Sequence, residues 1–196
     1  MPTERRRQVT DVRALRALAN PVRYRIFGHL MALGPQTASE CAAVVGATPS
    51  NCSYHLRELA RFGLVERVDA GPGEGDGRER RWRPTATGFS YQVAEADRAD
   101  PSARRANLAL QHAGIDDDAA LAHAAADRHE SLSGTWQQAA GSATYGLRIT
   151  ADELVSLGTA IDALIRPFIG LTRDDPPPDA EAVHVLFRAF HLPVTS

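Results

Sequence analysis

The stretch TPSNCSYHLRELARFGLVERV, residues 48–68, contains the strongest structural signal in the chain. Thr48 is a favourable helix N-cap, Pro49 suits the first helical position, and Gly63 is typical of a helix end. Apolar side chains recur at helical spacing between these signals. The pattern therefore predicts a helix over residues 49–62 whose buried side consists of Cys52, His55, Leu56, Leu59 and Phe62.

The other side of this helix carries short polar side chains, and that composition suits contact with DNA. The major groove of B-DNA admits one α-helix, which needs one face to pack on its domain and another to form hydrogen bonds. A fixed N-terminal turn can also approach a phosphate. We expect His55, beside the apolar side, to pack rather than contact bases. The predicted DNA contacts on this helix are Thr48, Pro49, Ser50, Asn51, Ser53, Tyr54 and Arg57.

Three further helices are predicted before this one. Apolar spacing indicates helices over residues 11–18, 21–33 and 37–45, and Asn20 is a good N-cap for the second of them. Gly46 suits the C′ position that closes the third helix. The third and fourth predicted helices, joined by this short turn, form a helix-turn-helix pattern.

A β-hairpin is predicted directly after the helix-turn-helix. Residues 64–68 and 78–84 alternate as strands do, and residues 70–77 contain four glycines. A flexible tip of this kind lets nearby arginines reach the DNA backbone or the minor groove. Trp82 is expected in the core beneath this wing. The predicted DNA contacts on the wing, residues 64–84, are Arg78, Arg80 and Arg81.

The rest of the chain predicts a second, mixed unit. We expect a basic leader at residues 1–10, a winged-helix domain at 11–99, and a C-terminal module for dimerisation and effector binding at 100–196. The fold class is α+β: a winged helix-turn-helix, a mainly helical dimerisation segment and a small α/β module. The further elements predicted are helices over 89–99, 101–112 and 116–139, with Gly114 as the break, a strand at 145–149, a helix starting at Thr150, and a strand at 182–193.

Residues 11–90 resemble the DNA-binding domain of ArsR-like winged-helix repressors. The similarity lies in ALANPVRYRIFGHL (17–30), in the 48–68 stretch and in GRERRWRPTATG (77–88). Within the middle stretch, the spacing of Ser50, Ser53, His55 and Gly63 is its most specific part. The resemblance implies a transcriptional regulator that binds an operator in double-stranded DNA as a homodimer, and it predicts a repressor.

Charge is distributed unevenly along the chain. Residues 1–83 contain 14 arginines and 9 acidic residues, whereas residues 84–196 contain 8 arginines and 15 acidic residues. A basic first half suits contact with a polyanion, although ordinary scatter of surface charge accounts for the difference equally well. Arg5, Arg6 and Arg7 are open to two interpretations, an arm that contacts phosphates or a solvated tail.

The sequence offers little for metal or catalytic chemistry. Many ArsR-like proteins bind soft metals through Cys-x-Cys on the helix before the recognition helix, but here SECAAVVG contains Cys41 alone. Cys41 and Cys52 are expected to be buried structural thiols. Asp127 and His129 match only half of a second metal pattern. The chain has no G-x-S-x-G, H-E-x-x-H, P-loop or dinucleotide motif, so we expect neither an enzyme nor a cofactor or metal.

The C-terminal half leaves two questions open. The alanine-rich helices after residue 100 are expected to form a dimer interface, and the alternative is that they cover the N-terminal domain of their own chain. A cavity for a small organic effector would be lined by Trp136, Tyr145, Leu147 and Phe187, and the alternative is that these side chains are plain core.

The sequence therefore predicts a DNA-binding transcriptional regulator. The alternative is a winged-helix protein-interaction module that does not bind DNA. No apolar run reaches the roughly 18 residues that a membrane span needs, and residues 1–13 lack a secretory signal. A cytoplasmic protein without membrane contact is expected.

Overall fold

The computed structural model describes residues 6–68, 80–171 and 175–192. Seven α-helices and four short strands form in these ranges. The helices are α1 (Val12–Leu18), α2 (Pro21–Leu33), α3 (Ala38–Val45), α4 (Pro49–Arg61), α5 (Pro101–Arg128), α6 (Gly134–Ala139) and α7 (Ala151–Ile165). The strands are β1 (Arg6–Val9), β2 (Val65–Val68), β3 (Arg81–Pro84) and β4 (Gly88–Tyr91).

The helix boundaries in the first half follow from their caps, as the sequence predicts. The Asn20 side chain accepts a hydrogen bond from the Arg23 backbone N–H at the start of α2. Thr37 and Glu40 form a reciprocal capping box at the start of α3. Each cap satisfies backbone donors that have no partner within the helix, and this stabilises the helix start.

A single apolar core joins helices α1 to α5. Leu15 and Leu18 of α1 and Leu56 and Leu59 of α4 are fully buried in it, and Leu110 of α5 is also buried there. The first half of α5 therefore completes the core of the N-terminal domain. The buried surface crosses the boundary predicted at residues 99 and 100.

Residues 6–9 and 88–91 form a second sheet that the sequence did not predict. β1 pairs with β4 in parallel, with Arg6 opposite Gly88 and Val9 opposite Tyr91. Phe89 packs edge-to-face on Phe27, with ring centroids 4.9 Å apart. The predicted flexible leader is therefore wrong for residues 6–9, and the predicted helix over 89–99 is wrong because its first residues pair with a strand about eighty positions earlier.

Arg7 of β1 secures the end of α4. Its guanidinium donates hydrogen bonds to the backbone carbonyls of Phe62, at 3.0 Å, and Gly63, and it lies 3.3 Å from the Thr85 hydroxyl. A cation at this position satisfies carbonyls that the helix end leaves without partners. The sequence leaves open whether Arg7 belongs to an arm that contacts phosphates or to a solvated tail. In the structure Arg7 has a third role, because it stabilises the end of α4.

We expect Arg7→Ala to lower the free energy of unfolding by about 1 kcal/mol, because it removes charge-assisted hydrogen bonds at the end of α4. Urea denaturation followed by circular dichroism measures the change. Arg98→Ala is the matched control, since Arg98 is an exposed arginine that pairs with nearby Glu95, at 2.7 Å. Equal stability of the Arg7→Ala variant and the parent would contradict this role.

Helix α5 runs without interruption through Gly114, where the sequence predicted a break. A Cβ atom at Gly114 would lie 2.9 Å from the Tyr24 hydroxyl oxygen. Glycine is therefore needed here for the close approach of α5 to α2, and packing outweighs its low helix propensity. The acidic residues that follow lie in mid-helix instead of at a helix start. Among them, Asp117 pairs with Arg25 at 3.5 Å.

The two strands predicted in the C-terminal half do not form. Residues 140–150 and 180–192 have no regular secondary structure, so the strands predicted for the C-terminal module are wrong, whereas the predicted α+β fold class is confirmed. Alternating apolar residues make a strand only when another strand offers backbone partners. The helix predicted to start at Thr150 is correct, and the capping box of Thr150 with Glu153 is present.

Candidate nucleic-acid interface

The turn between α3 and α4 sets the direction of the predicted recognition helix. Gly46 adopts a left-handed conformation with φ of +62°, and the Ala47 backbone N–H donates to the Ala42 carbonyl at 3.1 Å. Both features are typical of a helix C-terminus closed by glycine. Thr48 is extended, and its hydroxyl accepts a hydrogen bond from the Asn51 N–H at 3.2 Å. The side chain of Thr48 therefore positions α4.

Helix α4 has the two faces that the sequence predicts. Cys52, Leu56 and Leu59 are fully buried, which fixes the helix on the domain. On the opposite side Tyr54 is 51% exposed, and Ser53 is half-buried. The other predicted contacts on this helix are exposed, and they are Pro49, Ser50, Asn51 and Arg57. The structure thus presents these side chains, most of them polar, on one accessible face.

His55 is placed between the two faces and packs rather than projecting outward. Its ring lies edge-to-face with that of Tyr54, at a centroid distance of 5.4 Å. Burial and, to a smaller extent, the charge of Arg23 lower the pKa of His55. The imidazole is therefore held in its neutral form beside the exposed face of α4.

The wing is anchored on the helical core through Trp82. β2 and β3 pair antiparallel, with Arg67 opposite Trp82. Gln36 exchanges two backbone hydrogen bonds with Trp82, at 3.0 and 2.7 Å, and Trp82 is 5% exposed. The predicted position of Trp82 beneath the wing is confirmed. The glycine-rich loop and Arg78 lie outside the described residues.

The wing arginines differ in their surroundings. Arg80 is exposed. Arg81, which the sequence grouped with it, donates to the Pro35 carbonyl at 3.0 Å and lies 3.7 Å from the Glu40 carboxylate. Those contacts attach β3 to the turn before α3. Arg81 as a DNA contact stays a prediction, but its guanidinium already has partners within the domain.

Arg67 is a candidate that sequence reasoning missed. Its guanidinium carbon lies 4.9 Å from the centre of the Trp82 ring, a cation–π arrangement. The sequence feature that could have identified Arg67 is its position in the first predicted strand of the wing, directly after the predicted recognition helix. Its alignment with Trp82 depends on the register of the hairpin, which the glycine-rich loop leaves undetermined in the sequence.

A cleft of about 290 Å³ separates the start of α4 from the wing. Arg67 and Arg80 line its wing side, and Pro49, Ser50 and Ser53 line its helix side. A shallower groove of about 660 Å³ continues beside α4, lined in part by Tyr54, Arg57, Arg61 and Arg67. The predicted recognition helix and the wing therefore border one continuous, arginine-containing surface.

The two cysteines belong to the core between α3 and α4. Both are fully buried, and burial raises the pKa of the Cys41 thiol to about 12. Burial likewise raises the pKa of Cys52. The thiols are therefore neutral at physiological pH. Within the part of the chain that the structure describes, no three His, Cys, Asp or Glu side chains converge as metal ligands would.

The predicted effector-binding residues lie largely on the surface of the single chain. Tyr145 is 79% exposed, Leu147 and Phe187 are 56% and 48% exposed, and Trp136 is half-buried on α6. The expected enclosed cavity does not surround them in one chain, because the segments that carry three of them do not form strands.

Among the helices of the described ranges, none combines the length and the apolar composition that a membrane span requires.

Residues 18–68 match the family model for the helix-turn-helix domain. They span α2, α3, α4 and β2, and β3 completes the wing. This part of the chain is a winged helix-turn-helix domain. The winged helix-turn-helix predicted from the sequence is confirmed for this domain.

Several solved structures are similar to the chain, and no curated protein matches it. One is the homodimeric winged helix-turn-helix DNA-binding domain of Mb0332 from Mycobacterium bovis, described as a possible ArsR-family transcriptional regulator. It is 25% identical, with 60% of this chain and 78% of that one covered and a TM-score of 0.31. The PcaV transcriptional regulator from Streptomyces coelicolor, solved with its natural ligand, is 17% identical, with 74% and 72% covered and a TM-score of 0.31. Rv1404 from Mycobacterium tuberculosis is 14% identical, with 79% and 81% covered and the same TM-score.

Proposed function

We propose that the protein is a homodimeric transcriptional repressor that binds double-stranded DNA. In this proposal α4 lies in the major groove, and the wing contacts the backbone or the minor groove. The observation that carries it is the exposed polar face of α4, with Tyr54 and Arg57, beside a wing that carries Arg67 and Arg80. The buried opposite face of α4 holds this surface rigidly, as direct contact with base edges requires.

The electrostatics of this surface suit a polyanion. Arg57, Arg67 and Arg80 are exposed, and with Arg78 they would supply eight cationic contacts in a dimer. Neutralising about eight phosphates gives a slope of roughly −7 in a plot of log K against log salt concentration. Arg83 does not add to this set, because it pairs with Glu66 at 2.8 Å.

The proposed function is tested with DNA from upstream of the protein's own gene. Fluorescence anisotropy at several salt concentrations should give a saturable complex whose affinity falls with the predicted slope. A screen of genomic fragments at low salt extends the test to other operators. If the folded protein binds none of these fragments, the DNA-binding proposal is wrong, and a protein-interaction role becomes the better explanation.

Exposed apolar residues in the C-terminal half support a homodimer whose interface lies there. Leu108 and Ile115 of α5 and Val155 and Leu164 of α7 are between 44% and 73% exposed. Further exposed apolar side chains, on residues 145–149 and 183–192, are Tyr145, Leu147, Ile149, Val183, Val185, Leu186, Phe187, Phe190 and Leu192. A soluble monomer rarely exposes so much apolar surface. We therefore assign it to contact with a second copy of this chain.

The same arrangement gives a place for a small organic effector. Tyr145, Leu147 and Phe187 would become enclosed where a second copy covers them, and Trp136 lies in the same half of the chain. A ligand bound where the two copies meet would change the relative position of the two recognition helices. Such a change would alter binding to two half-sites on the DNA.

A further inference from the structure

We propose that the cleft between α4 and the wing holds one phosphate of the DNA backbone, with Arg67 and Arg80 as its cationic ligands. The inference rests on the proposed function and specifies where one DNA strand is held. The residues lining the cleft are Ala38, Ser39, Pro49, Ser50, Ser53, Arg67, Arg80 and Trp82. Two of them are cations, three carry hydroxyl groups, and the described lining includes no carboxylate.

Arg67 is the residue that the fold prepares most clearly for this role. Its guanidinium lies 4.9 Å from the centre of the Trp82 ring, and Trp82 is itself held by two backbone hydrogen bonds to Gln36. A planar guanidinium supported on a rigid aromatic ring loses little conformational freedom when it binds an anion. It also presents several N–H donors to phosphate oxygens.

Two other arginines of the wing, Arg81 and Arg83, have partners within the domain and do not line the cleft. Arg81 contacts the Pro35 carbonyl and Glu40, and Arg83 pairs with Glu66. Their charges are compensated within the domain, whereas Arg67 and Arg80 face the cleft. The wing therefore divides its arginines between structural contacts and a phosphate position.

The helix side of the cleft supplies complementary groups. Ser50 and Ser53 offer hydroxyl groups, and α3 and α4 both begin at the cleft, so the positive ends of their dipoles add to the arginine charge. Ser53 is followed directly by Tyr54, on the exposed face of α4. A phosphate in the cleft would thus lie next to the bases that Tyr54 reaches, and it would fix the register of α4 along the groove.

The experiment compares Arg67→Ala and Arg80→Ala with Arg83→Ala, the matched control on the same wing. The double variant should reduce the magnitude of the salt slope by about 2 per dimer, because the two arginines neutralise one phosphate in each subunit, and each single variant should give part of that reduction. Affinity should fall equally for operator and unrelated DNA. Arg67→Lys keeps the positive charge and should restore most of the slope, which separates the loss of charge from disturbed packing around Trp82.

A chemically altered operator locates the phosphate. A methylphosphonate removes the charge of one phosphate at a time. At one position in each half-site, this substitution should weaken DNA binding by the parent protein but leave DNA binding by the Arg67→Ala variant unchanged. If no position shows this coupling, or if Arg67→Ala keeps the full salt slope, the inference is overturned while the proposed function stands. If the parent protein binds no DNA, the proposed function itself fails.

Inorganic phosphate distinguishes a free anion from the DNA backbone. In a Trp136→Phe variant, Trp82 is the sole tryptophan, and its fluorescence reports on the cleft. Weak quenching that operator DNA competes away supports the backbone assignment. Saturable binding of inorganic phosphate that operator DNA leaves unchanged would make the cleft a free-anion site and overturn the inference.

Discussion

Replacing both Tyr54 and Arg57 by alanine should lower operator affinity about 1,000-fold, with little change in the thermal unfolding midpoint. Four side chains are lost in a dimer, and at about 1 kcal/mol for each DNA contact the total is about 4 kcal/mol. Because both residues lie on the exposed face of α4, the core beneath it stays intact. Anisotropy with operator DNA measures the loss, and circular dichroism verifies the fold.

A control on the same helix makes the result specific. Arg61 is also an exposed arginine of α4, but it pairs with Glu58 at 2.9 Å near the C-terminal end. Arg61→Ala should keep operator affinity close to that of the parent. If the Tyr54 and Arg57 double variant binds the operator as tightly as Arg61→Ala does, α4 does not contact the bases, and the protein-interaction alternative gains support.

The second large effect concerns assembly. Combining Leu164→Glu with Phe190→Glu should convert a particle of twice the 21.2 kDa chain mass into a monomer. These side chains are 73% and 70% exposed in one chain, so the change costs little in the monomer itself. In a dimer each would bury an unpaired carboxylate, which is strongly unfavourable. Size-exclusion chromatography with light scattering measures the mass.

Loss of the dimer should also weaken operator binding about 100-fold or more, since two linked recognition helices benefit from a high effective concentration. Val44→Glu is the matched control, because Val44 is a partly exposed apolar residue of α3, outside the C-terminal surface. It should leave the dimer mass unchanged. A parent protein that runs as a monomer, or a double variant that stays dimeric, would show that this surface does not join two copies.

The exposed residues of the C-terminal half show why the strands predicted there do not form. The alternation in residues 182–193 predicts a strand, but no strand of the described fold pairs with residues 182–192. Periodicity shows that a segment has an apolar face. It does not show whether the surface that covers this face belongs to the same chain or to another.

At Gly114 and Arg81, too, the sequence pattern leaves open which distant residue is the contact partner. A glycine in a helical pattern indicates either a break or a close approach, and the position of Tyr24 decides between them. Arg81 and Arg80 are neighbours in the sequence, but Arg81 contacts Pro35 and Glu40 whereas Arg80 borders the cleft. Which arginine remains available to a ligand depends on carboxylates and carbonyls far away in the sequence.

Local signals were sufficient for α1 to α4, their caps, the turn at Gly46 and the two faces of α4. These features depend on hydrogen bonds and side-chain spacing within a few residues, which the order of amino acids states directly. The pairing of β1 with β4, the continuity of α5 and the placing of Arg67 on Trp82 arose only on folding. Each joins groups that lie far apart along the chain, so its free energy depends on which surfaces the finished core brings together.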